Sequence, residues 1–194
     1  MKNFQKSGLI LALFFYFLAG STRVNAEPET VLSVSPPAAT VGQGEAFTVE
    51  IDVADAVDLY GFALRVSFDP ACLQVDESQP DPLELGGFLV PGGMNIKNEF
   101  DDPPGVVQFH YAQVNPAEPR TGEGTLLVIH LIARRVNCTS AIIIETAGSE
   151  PTILTDRNSF SLPYQAENGS VEITGVSFRK RLYLPLIIYP ESDN

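Results

Sequence analysis

The stretch from Leu59 to Val75, LYGFALRVSFDPACLQV, constrains the fold more than any other part of the chain. Phe62, Leu64, Val66 and Phe68 alternate with Ala63, Arg65 and Ser67, the period of two expected of a strand with one buried face. Asp69-Pro70 interrupts the ladder, because proline has no backbone N–H to donate, and Leu73 and Val75 resume the inward set. Similar runs recur between glycine- and proline-rich turns, at 31–35, 46–53, 59–68, 72–76, 95–100, 106–114, 125–135, 141–146 and 170–174. No stretch of useful length carries helical periodicity, and no internal repeat is present. Nine short strands with turn signals between them predict an all-β sandwich.

The ends read differently from the middle. Lys2 and Lys6, an apolar run from Leu9 to Ala19, and the small residues closing at Ala26 are expected to form a signal peptide over 1–26. The run is too short to span a bilayer, so the expected destination is extracellular, with the protein secreted and a candidate for association with the cell surface. Residues 27–175 then form a single domain, followed by a tail over 176–194 in which Arg179-Lys180-Arg181 precedes LYLPLIIY. That apolar segment is broken by Pro185 and is too short to cross a membrane; an extra edge strand or a packed tail is expected, with a surface-docking role as the alternative.

Charge narrows the function. The formal net charge of −12 becomes more negative once Lys2, Lys6 and Arg23 leave with the signal peptide. A phosphate backbone needs a basic face, so nucleic acid is excluded as a partner. Cys72 and Cys138 are the only cysteines. In an oxidising compartment they are a candidate disulfide, but whether they meet depends on topology. Neither has a second thiol or a histidine at zinc-ligand spacing.

Across 31–174 the order of motifs resembles the cohesin family of bacterial cell-surface scaffolds. The motifs are VGQGEAFTVEIDV, GFALRVSFDP followed by CLQV, GVVQFHYAQ, GEGTLLVIHLIA after a glycine turn, and the closing Asn168-Gly169-Ser170-Val171. The resemblance implies a nine-strand jelly-roll β-sandwich whose task is to hold a calcium-loaded dockerin-type protein module, without catalysis or cofactor, in assemblies that degrade polysaccharides. It further implies that one outer sheet face makes the contact. By alternation that face would carry Ala63, Arg65 and Ser67, then Gln108, His110 and Gln113, then Val128, His130 and Ile132, with Gly61 and Leu126 beside them. Leu127, Ile129, Leu131 and Ala133 already supply a core side. The apolar opposite side is therefore expected to be covered by the tail or by a partner, with Val128 and Ile132 at the centre of the contact. Cohesins of the best-known type carry hydrogen-bonding side chains where Gly61 and Ala63 stand, which implies a smoother contact here.

Other chemistries have weaker support. His110 and His130 are expected as near neighbours on one face, but no motif sets a carboxylate or hydroxyl beside them, and GxSxG and HExxH are absent. A carbohydrate-binding or cell-wall role without dockerin is the alternative. The chain has no tryptophan, and of Tyr60, Tyr111 and Tyr164 the second is expected inward, so an aromatic sugar platform is not favoured. Asp52, Asp55 and Asp58, and Glu99, Asp101 and Asp102, are oxygen-rich but lack EF-hand spacing; they are expected to be solvated turns.

Overall fold

A computed structural model of the protein describes residues 29–175. The expected signal peptide and the 176–194 tail lie outside the described residues. The chain forms β1 (Thr30–Ser35), β2 (Ala38–Gly42), β3 (Ala46–Leu59), β4 (Gly61–Ser67), β5 (Leu73–Val75), β6 (Leu83–Leu85) and β7 (Met94–Phe100). It continues through β8 (Val106–Ala112), β9 (Arg120–Ala133), β10 (Cys138–Ile144), β11 (Ile153–Thr155), β12 (Ser161–Leu162), β13 (Tyr164–Glu167) and β14 (Gly169–Thr174). The described residues are all-β, without a helix. All nine expected segments are strands; β2, β6, β11, β12 and β13 are additional.

Two open sheets face each other. The smaller runs β13-β1-β3-β9-β5, with β6 sharing the β9 edge beside β5. The larger runs β12-β11-β4-β10-β14-β2, with β8 on the other side of β4 and β7 outside β8. Pro36-Pro37 carries the chain from β1 in one sheet to β2 in the other, where its missing donors cost no ladder bond. The β1–β13 and β14–β2 pairs are parallel and the remaining pairs antiparallel.

The core is built from the inward half of each alternation. Leu32, Ile51, Leu64, Leu73, Phe109, Leu127, Ile129, Leu131 and Ile142 are fully buried, and Phe62 packs against Phe109 and Tyr111 with both ring separations 6.2 Å. The Tyr111 hydroxyl finds a partner, donating to the Val90 carbonyl at 2.7 Å and accepting from Gly93 N–H at 2.6 Å. Cys72 and Cys138 are disulfide-bonded with Cα atoms 5.7 Å apart. Cys72 precedes β5 and Cys138 opens β10, so the bond staples one sheet to the other.

Bulges change which face a residue meets. β3 and β9 pair Ile51 with Leu127 and then Asp52 with Thr125, skipping Leu126. The extra residue turns inward, and Leu126, expected on the outer side, is fully buried. Asp55 and Asp58 sit with left-handed φ of 52° and 54° at the later irregularities of the same pair, a conformation aspartate tolerates better than most side chains. Asp52 accepts from the Thr125 hydroxyl at 2.7 Å. These three acids serve the bulged pairing of β3 with β9.

Candidate binding face

Strands β7, β8 and β4 run side by side, and β10 and β11 share the far edge of β4 end to end. Cross-strand partners share a side of the sheet. Arg65 stands opposite Gln108, which stands opposite Glu99; Ala63 stands opposite His110, which stands opposite Lys97. Ser67 is in register with Ile143, and Ala63 with Ile153. These side chains make up the outer face of the larger sheet.

Its centre is ionic. Arg65 Nη1 donates to Glu150 Oε2 at 2.8 Å, while Glu150 Oε1 lies 3.8 Å from Lys97 Nζ, and Lys97 Nζ is 3.5 Å from Glu99 Oε2. Burial pushes the His110 imidazole below its ordinary value, the Lys97 ammonium adds to that, and Glu150 and Glu99 partly oppose it. The Ser67 hydroxyl donates to the Glu145 carboxylate. Around this centre, Ile143 and Ile153 are 38% and 37% exposed, and Met94 on β7 is 58% exposed.

The loop between β10 and β11 is fastened to β4 rather than hanging over it. The Thr152 hydroxyl accepts from Arg65 N–H at 3.0 Å and donates to the Arg65 carbonyl at 3.2 Å, and Thr152 N–H donates to the Glu145 carbonyl at 2.7 Å. Arg65 is thereby held at the gap between the two strands that share its edge. Gly61 is buried because β11 lies alongside, where a Cβ would come within 3.1 Å of the Thr155 hydroxyl.

The expected single contact face is corrected on several points. Ala63, Arg65, Ser67, Gln108 and His110 do lie together on the larger sheet. Val128, His130 and Ile132 lie on β9, in the other sheet and on the opposite side of the molecule. Alternation tells inside from outside but not which sheet a strand joins. His110 and His130 are therefore not neighbours. The stripe on β9 is threaded with polar neighbours, since Val128 pairs with Glu50 and Glu84, and His130 Nε2 lies 2.8 Å from Glu84 Oε1. Gln113 is 3% exposed and braces a loop, its Oε1 accepting from Val90 N–H and its Nε2 donating to the Glu118 carbonyl, both at 3.0 Å. Lys97, Glu145, Glu150, Ile143 and Ile153 carry no motif that marks them in the sequence. Thr152-Ile153-Leu154-Thr155 does alternate, but Gly148 and Pro151 make the region read as loop.

The described residues form a two-sheet jelly-roll β-sandwich with an exposed outer face on its larger sheet, a fold shared with cohesin domains of solved structure. No family model matches the sequence, and no curated protein matches it. Among solved structures, the chain is similar to a non-cellulosomal cohesin from the archaeon Archaeoglobus fulgidus, at TM-score 0.60 and 15% identity over 76% of this chain and 92% of that one. It is similar to a type II cohesin from the cellulosome of Acetivibrio cellulolyticus, at 0.61 and 22% over 74% and 95%. It is also similar to the sixth cohesin of scaffoldin B from Acetivibrio cellulolyticus, solved in complex with a Cel5 dockerin variant, at 0.62 and 12% over 75% and 99%. At these identities the likeness establishes the fold.

Proposed function

We propose that the protein is a secreted, non-catalytic binding module that holds a dockerin-type protein module across the outer face of its larger sheet. The observation that carries this reading is the pairing of a cohesin-type fold with a half-buried ionic centre flanked by exposed Ile143, Ile153 and Met94. A hydrogen-bonded sheet presents such a face preformed, so little ordering is needed on association. Apolar side chains next to fixed polar groups suit a partner that lays a small helical surface across the sheet. The Cys72–Cys138 bond supports an oxidising, extracellular setting.

The test is calorimetric titration of the secreted chain with a panel of calcium-loaded dockerin modules encoded in the same genome. Nanomolar affinity, about −12 kcal/mol, is the expected result. Absence of heat with every dockerin overturns the reading and moves polysaccharide to the front as the ligand to test.

A further inference from the structure

The ionic centre of this face combines three features that ordinary surface ion pairs lack. First, the cations are the held partners. Arg65 and Lys97 side chains are 19% and 23% exposed, whereas Glu150, which joins them, is 53% exposed. Second, a single carboxylate spans both cations, with one oxygen toward each. Third, Gln108 is 4% exposed and its Oε1 is buried with no donor, although Arg65 stands directly across the strand pair from it. A buried acceptor left unpaired is costly, and native proteins tolerate few.

These features fit an arrangement in which Glu150 is a stand-in. Lys97 is the only lysine among the described residues, and acids far outnumber bases in the chain, yet two of its few cations meet at the centre of one face. Glu150 draws Arg65 Nη1 to the loop side, where it does nothing for Gln108. A guanidinium has five N–H donors in a rigid fork. If a carboxylate arrives from above the sheet, Arg65 can turn on its stem to serve both that carboxylate and Gln108 Oε1. Thr152 holds the Arg65 backbone during this exchange, so only side chains need move.

Resting on the reading of this face as the partner surface, we infer that Arg65 and Lys97 form a carboxylate subsite, closed in the free protein by Glu150, which spans both cations while Glu99 stays beside Lys97, and opened to an Asp or Glu side chain of the partner. The partner's contact surface therefore carries an acidic residue near its centre, flanked by apolar ones that meet Ile143 and Ile153.

The probe is N-acetylglutamate amide, with N-acetylglutamine amide as its uncharged control, titrated into the full chain while NMR follows Arg65 Nε–H and the Gln108 side-chain amide. The expected result is a saturable shift of both signals with the glutamate probe alone. Binding should tighten about twofold to fivefold in Glu150→Gln, the range an exposed ion pair commands, and should be lost in Arg65→Gln. Lys97→Gln is a second variant, expected to weaken binding without touching the bonds to Thr152. Equal response to both probes, or unchanged affinity in Glu150→Gln, overturns the inference. The dockerin reading is separable: a chain that takes the glutamate probe here but binds no dockerin keeps the subsite and loses that reading. Dockerin binding unaffected by Arg65→Gln and Glu150→Gln does the opposite.

Discussion

Asp76 shows how a buried acid is kept charged in this fold. It is 2% exposed, and its carboxylate accepts from the Ser78 hydroxyl at 2.6 Å, from Ser78 N–H at 3.0 Å and from Gln79 Nε2 at 3.1 Å. The Ser78 hydroxyl does most to hold it below the ordinary value of 3.8, followed by Gln79, against the opposing effect of burial. The folded state therefore binds this proton less readily than the unfolded chain. The stabilisation is complete above the unfolded value and is lost as pH falls through the lower folded one. Denaturant midpoints should drop as pH falls below about 4, and Asp76→Asn should flatten that drop. His110 gives a second, separate dependence. Its value is depressed from 6.5, so stability is full above the unfolded value and declines as pH falls toward the folded one. Denaturant midpoints should therefore also fall from about pH 7.5 to about pH 5.5, and His110→Gln should remove that part of the change.

At the scale of strands and turns, two junctions hold the larger sheet in place. The turn from β7 to β8 closes at Gly105, whose φ is 77° and where a Cβ would lie 2.4 Å from the Phe68 carbonyl oxygen. Gly105→Ala should cost at least about 1–2 kcal/mol in unfolding free energy by denaturation, the penalty for a side chain in the left-handed region. The disulfide spans a sequence separation of 66. Loop-closure entropy for a loop of that size gives about 4 kcal/mol, so the Cys72→Ala, Cys138→Ala double variant should unfold at much lower denaturant. Long alternating runs made the main strands legible, because a period of two held over a whole run matches neither a helix nor a loop. Strands of two or three residues, such as β11 and β12, are too short to show a period. The inward turn of Leu126 was hidden because a bulge adds one residue without any compositional sign. Gln108 alternates to the same side as Arg65 and Glu99, but nothing in the alternation marks it as buried; its place between those two long side chains is visible only in the register.

For the molecule as a whole, the sandwich offers two outer faces of unequal character. On the smaller sheet, Val128 and Ile132 are half-buried among Glu50, Glu84 and Gln74. On the larger, exposed isoleucines flank an ionic centre, and that side is the proposed recognition surface. The most direct test sets Ile143→Asp beside Ile132→Asp in calorimetric titrations against a dockerin that the unmodified chain binds. A charge at Ile143 should weaken binding by at least about tenfold, the loss of roughly 1.4 kcal/mol that a central apolar contact readily exceeds. A charge at Ile132 should leave it unchanged, with both variants folded and disulfide-bonded. Loss of binding in Ile132→Asp with full binding in Ile143→Asp would contradict the assignment and move the contact to the other side of the sandwich.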